Sequence, residues 1–281
     1  MATRTLGGAP GALTLYPRAV LGSLPRPLLR ASTLPDHEFE LAAVTLDAGH
    51  VADYARVCGF GLRDTLPPTY LHVLAFGLAM RLMTDSAFPF GVLGLVHVAN
   101  RIEHRRPVAL AETPTLRVHA ADLRDHPRGR QFDVIARAHL GDEVVWEGRS
   151  TYLRAGGAPK GKDDNKRKRP TPPEPQAIFD VPGDIGRRYG AVSGDRNPIH
   201  LHGLSARLFG QSSAIAHGMW LKARCLAALA PTLPDAFAVD VAFKRPVPLP
   251  SKVAFSRTGD AFVVHGTRRP VPHLEGRIGS P

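Results

Sequence analysis

Cysteine is nearly absent: the 281 residues contain two, Cys58 and Cys225. Two cysteines cannot build a zinc cage by themselves and do not read as a disulfide framework, so reduced thiols are expected. Long hydrophobic runs are also missing. The best candidate for a membrane segment, Leu71–Met83, falls short of the ~20 residues a helical crossing needs and contains His72 and Arg81. Pro17 and Arg18 interrupt Leu13–Leu24, so no secretory leader is expected there. None of Asn100, Asn165 and Asn197 begins a glycosylation sequon. These absences together predict a cytoplasmic chain with no membrane insertion.

Hydrophobic residues make up 43% and charged residues 22% of the chain. That balance is globular and excludes a wholly disordered, collagenous or coiled-coil protein. The length suggests two domains. The net charge is +11, and Lys160–Arg169 alone holds six bases and two acids. A nucleic-acid surface usually interleaves its bases with aromatics. This run has none and sits among Gly156, Gly157, Pro170, Pro172, Pro173 and Pro175, so it reads as a solvated linker, and no nucleic-acid partner is expected. The remaining positive charge suits an anionic small substrate equally well. Gly156–Lys162 fits G-x-x-x-x-G-K, but Asp163 stands where a phosphate loop needs Ser or Thr, which rejects that reading.

The linker, residues 156–175, divides the chain into 1–155 and 176–281, and the two parts resemble each other. Tyr54-Ala-Arg-Val-Cys-Gly-Phe60 matches Tyr189-Gly-Ala-Val-Ser-Gly-Asp195 in spacing and character, and Val98–Val108 resembles the run ending Val241–Val247, both closing on R-P-V. Each half predicts a short helix ending in a turn, a longer helix (Leu71–Met83 and Met219–Leu229), then a strand ending in the basic R-P-V. The longer helices are apolar on all sides and should be buried. Alternating segments follow: Thr115–Ala121, Gln131–His139 and Val144–Leu153, then Lys252–Ser256, Ala261–Gly266 and Val271–Ile278. A buried helix followed by antiparallel strands is an α+β pattern with the sheet wrapped around the helix. Two such units can pair as an internal pseudo-dimer.

The second half concentrates the chemistry. In Ser193-Gly-Asp-Arg-Asn-Pro-Ile-His200, Pro198 fixes its own φ and pushes Asn197 out of the α region. The chain turns, and the Asp195 carboxylate and His200 imidazole can face one pocket. Histidine exchanges protons near neutral pH, and a nearby carboxylate holds its tautomer or carries the second proton. Gly218, in Ile215-Ala-His-Gly-Met219, enters the long helix, where backbone N–H groups lack internal partners and suit an oxyanion hole. The bland alternatives are a common turn string for G-D-x-N-P and a capping or packing role for His217. His200 and His202 form an H-x-H pair without an evident third metal ligand.

Tyr189–His200, Ala206 and Ile215–Met219 resemble the hydratase 2 motif of MaoC-like (R)-specific enoyl-thioester hydratases and 3-hydroxyacyl-thioester dehydratases. The two-part organisation, the Pro-rich basic linker and Phe243-Lys-Arg-Pro-Val-Pro-Leu-Pro250 resemble the dehydratase X group within that family. The resemblance implies a double hot-dog fold, each half a long buried helix wrapped by an antiparallel β-sheet. It implies Asp195 and His200 as the catalytic dyad, Asn197 as the residue positioning the water, and the Gly218 N–H as the oxyanion donor. It implies no metal or redox cofactor, an acyl thioester on CoA or acyl carrier protein as substrate, and is compatible with a homodimer. The first half carries Phe60 in place of Asp195 and no D-x-N-P-x-H, so one active site per chain is expected. The family precedent for such an inactive half is to complete the sheet and give room for the acyl chain, a role compatible with the apolar stretch Leu71–Val98. The competing reading is a non-catalytic subunit that binds an acyl thioester or scaffolds a synthase.

Overall fold

The computed structural model describes residues 1–8, 10, 32–156 and 173–281. Most of the expected linker, the basic run, the rejected phosphate-loop string beyond Gly156, and Leu13–Leu24 lie outside the described residues.

Local signals set the helices. Helix α1 (Ala48–Cys58) begins where the Asp47 side chain accepts a hydrogen bond from the His50 N–H, and it ends at Gly59 with φ +82°. Helix α2 spans Tyr70–Met83. In the second half α3 (Ile185–Ser193) ends at Gly194 with φ +75°, the repeat mate of Gly59. Two short helices follow, α4 (Pro198–Leu201) and α5 (Gly203–Leu208), and then α6 (Gly218–Leu229). Both expected long helices are present and buried, each beginning one residue earlier than the sequence suggests. None of the described helices is long and apolar enough to cross a membrane.

Strands β1 (Ala2–Thr5), β2 (His37–Leu41), β3 (Leu95–His104), β4 (Thr115–His126), β5 (Gly129–Leu140) and β6 (Glu143–Ala155) precede strands β7 (Ala177–Val181), β8 (Phe237–Phe243), β9 (Ser251–Thr258), β10 (Ala261–Gly266) and β11 (Pro272–Gly279). All eleven join one sheet in the order β1-β2-β4-β5-β6-β3-β8-β11-β10-β9-β7. Outward from the central pair β3–β8, both halves repeat one order: β3-β6-β5-β4-β2 and β8-β11-β10-β9-β7. The central pair is antiparallel, running from Ala99 opposite Ala242 to His104 opposite Phe237. This is the double hot-dog arrangement: α2 packs on β2, β4 and β5, α6 packs on β11, and the two sheets are continuous. One edge departs from a purely antiparallel sheet, because β1 pairs parallel to β2.

The R-P-V repeat has a structural cause. Ala216 N–H donates to the Val247 carbonyl, and Leu66 N–H donates to the Val108 carbonyl. In each half the turn after the strand therefore fastens the chain entering the long helix. The repeat mates Tyr54 and Tyr189 meet at 6.2 Å between ring centroids.

Lys222 ties the halves together from inside the core. It is fully buried in α6, and its Nζ donates to Asn100 Oδ1 at 2.5 Å and to the Asn100 and Val239 carbonyls at 3.1 Å each. Burial pulls its pKa well down. Lys222→Ala removes three hydrogen bonds and leaves a cavity, and should destabilise the fold by about 2–5 kcal/mol. Urea unfolding checks this, and an unchanged midpoint would contradict it.

Candidate active site

The loop from Asp195 to His217 carries the site. Asp195 Oδ1 accepts the Asn197 N–H at 3.1 Å, which curls the chain directly after α3. Asn197 Oδ1 then accepts the Ile199 N–H and caps α4, with Pro198 at its first turn. That single turn places His200 beside the segment 214–216, where its Nδ1 lies 2.8 Å from the Ile215 carbonyl. A carbonyl only accepts, so Nδ1 bears the proton and Nε2 keeps its lone pair. Burial pushes the His200 pKa below its ordinary value, against the opposing pull of Asp195 and the bond to Ile215. The imidazole is thus neutral at pH 7, with one basic nitrogen.

His217 completes the group. One oxygen of Asp195 and one ring nitrogen each of His200 and His217 lie within 4.8 Å of one another. The His217 ring stacks on His200 with centroids 3.7 Å apart, and its Nε2 donates to the Asp195 carbonyl at 2.9 Å. Burial, with His200 next in effect, drives its pKa down to about 3. His217 occupies the N-cap position of α6, yet its side chain makes no capping bond. It braces the Asp195 loop and the His200 ring rather than capping the helix. The signal in the sequence is the string Ala216-His217-Gly218 at the start of the long helix. His202, by contrast, is exposed and does not join the group.

Gly218 opens α6. A Cβ here would stand 2.9 Å from two carbons of the Phe243 ring, so a glycine is required for that ring to cover the helix start. The first N–H groups of the helix point out of its N-terminus without an intrahelical partner.

These residues line one cavity of ≈ 380 Å³ that both halves build. Asp195, Asn197, His200, His217 and Gly218 form one wall. Phe76, Met80 and Met83 from α2, with Val92, Leu95 and Val96, give an apolar wall from the first half. Lys244, Arg245 and His273 also line it. The expected pair, the expected asparagine and the expected glycine are therefore brought together, and the apolar stretch from the first half reaches the same space.

The matching position in the first half is filled by a tyrosine. Tyr70 begins α2 as Gly218 begins α6, and Thr69 precedes it as His217 precedes Gly218. The Tyr70 hydroxyl meets His50 Nδ1 at 2.6 Å, and Tyr54 donates to Thr69 Oγ1 at 2.8 Å. A buried phenol fills the place that glycine leaves open.

Residues 164–264 match the MaoC like domain family. The 3-hydroxyacyl-thioester dehydratase X of Mycobacterium tuberculosis is 34% identical over 278 residues, 96% of this chain and 98% of that one. The crystal structure of HtdX from the same organism aligns with a TM-score of 0.78 at 32% identity, covering 87% of this chain and 100% of the other. A further Mycobacterium tuberculosis protein, described as having a double hotdog fold, aligns with a TM-score of 0.53 at 15% identity over 92% of this chain and 98% of its own, a likeness of fold alone.

Proposed function

We propose, since this chain belongs to the MaoC-like 3-hydroxyacyl-thioester dehydratase family, that Asp195 and His200 add water to, and remove it from, the 2,3-bond of an acyl thioester with (R) stereochemistry. The chain is a hydro-lyase of fatty acid metabolism. The observation that carries the residue assignment is the approach of the Asp195 carboxylate to a neutral imidazole whose Nδ1 is occupied by the Ile215 carbonyl.

In hydration the substrate carbonyl lies against the N–H of Gly218, which steadies the enolate oxygen. The amide of Asn197 helps hold the water. Nε2 of His200 takes one water proton as the oxygen bonds the β-carbon. That proton, held between the imidazole and the Asp195 carboxylate, passes to the α-carbon of the enolate. Dehydration is the reverse, so atoms balance in both directions. The acyl chain runs along Phe76, Met80 and Met83.

The carrier is a phosphate-bearing thioester, CoA or an acyl carrier protein. Lys244 and Arg245 at the cavity continue, through Pro248 and Pro250, into a surface groove with Lys252, Arg268 and Arg269. His273 lines both spaces. A basic strip of this kind attracts an anionic carrier. Cys58 and Cys225 are buried and unpaired, in keeping with a cytoplasmic setting. Residues 1–155 serve as the supporting half and 176–281 as the catalytic half.

The test is hydration of a 2-enoyl-CoA series across pH, with and without a chelator. Because His200 titrates below its ordinary value of 6.5, kcat/KM should hold as pH falls to that point and be lost only at lower pH, when Nε2 protonates. The chelator should leave the rate unchanged. Absence of hydration with any member, or a metal requirement, would overturn the assignment.

A further inference from the structure

Seven large apolar side chains are exposed among the described residues, and three of them, Leu204, Leu208 and Phe209, stand together on and just after α5. Leu204 is 78% and Leu208 85% exposed. Four positions separate them, so they share one face of the helix. The opposite side is held down. Ala206 is fully buried, and the Ser205 hydroxyl donates to the Pro198 carbonyl at 2.6 Å. Single exposed leucines are ordinary, whereas a cluster of them rimmed by charge marks an interaction site.

The cluster continues into the mouth of the cavity. The exposed members of the cavity lining are Val96, Phe209, Lys244, Arg245 and Pro246, and these frame its opening. One side of the frame is apolar and runs from Phe209 onto Leu208 and Leu204. The other side is basic. Lys244 pairs with Glu275 at 2.9 Å, but Arg245 and Arg207 are exposed and form no ion pair among the described residues. Residues 185–217 hold Arg187, Arg188, Arg196 and Arg207 against one acid, Asp195, which lines the cavity. A surface of this composition fits a partner with an apolar centre and a carboxylate rim. A second copy would set the same arginines against one another.

We infer that the outer face of α5 docks an acyl carrier protein, an acidic helical partner that brings the acyl group on a phosphopantetheine arm. Leu204 and Leu208 meet its apolar face, Arg207 and Arg245 meet its carboxylates, and the arm passes Phe209 into the cavity. This rests on the dehydratase reading of the cavity and adds the partner that delivers the thioester. The attraction between the two charged rims speeds encounter and weakens as salt is raised.

The experiment measures hydration of one 2-enoyl group carried either on CoA or on an acyl carrier protein. The wild-type chain should hydrate both. Leu204→Ser/Leu208→Ser and, separately, Arg207→Glu should lower kcat/KM for the carrier-protein substrate by about 10- to 100-fold while the CoA substrate stays within about twofold. All three side chains are exposed, so the thermal midpoint should not move. Wild-type hydration of the CoA substrate alone overturns this inference and leaves the dehydratase reading standing. Variants that keep the wild-type ratio of the two substrates, or lose both substrates equally, also overturn it. So does a wild-type dimer, or wild-type binding to anionic vesicles, that the variants abolish while that ratio is unchanged. A wild-type chain that hydrates neither substrate overturns the dehydratase reading and this inference with it.

Discussion

Asp195→Asn and His200→Gln should each lower kcat/KM for enoyl-thioester hydration by about 10²–10⁴-fold, the range that acid–base catalysis contributes. The two substitutions are chosen to spare the local fold. Asparagine keeps an oxygen for the Asn197 N–H that Asp195 Oδ1 now accepts at 3.1 Å. Glutamine keeps an N–H group for the Ile215 carbonyl that His200 Nδ1 now meets at 2.8 Å. Neither amide takes a proton at neutral pH. The loss should therefore appear in turnover while the thermal midpoint stays within a few degrees of wild type. Rates near wild type in both variants would remove the pair from the mechanism.

Gly218→Ala should lower kcat by about 10²–10³-fold, the cost of losing one preorganised donor to an oxyanion. The added methyl would stand 2.9 Å from Cδ1 and Cε1 of Phe243, which is closer than carbon atoms pack. Either the ring or the first turn of α6 must move, and the amide moves with that turn. Combining Gly218→Ala with Phe243→Leu relieves the clash and should recover part of the rate. A Gly218→Ala variant with unchanged kcat would show that this amide does not hold the developing charge. A variant whose rate falls only in step with its stability would say the same.

The fold was legible in the sequence where two signals coincided. The repeat of Tyr54–Phe60 in Tyr189–Asp195, each ending a helix at a left-handed glycine, fixed the two-unit plan. The all-round apolar character of the long helices fixed their burial. The short strands β2 and β7 are not legible in the sequence, because five residues are too short a run to tell a strand from a loop, even where polar and apolar positions alternate as in β2. Strand β1 was missed for the same reason: its four residues are all exposed, and it is held by pairing alone. The site was legible at Asp195, Asn197, His200 and Gly218, since proline and glycine dictate that turn. The role of His217 does not follow from the sequence, because its partner, the Asp195 carbonyl, lies twenty-two positions away and only the folded loop joins them.

The most direct measurement is the hydration rate of the Asp195→Asn/His200→Gln double variant beside the two single variants. Side chains that handle one proton on one water act as a unit, and removing the second then costs little more than removing the first. The account predicts a double variant within about threefold of the slower single one. A loss equal to the product of the two single losses would mean that the carboxylate and the imidazole act independently, and would contradict it.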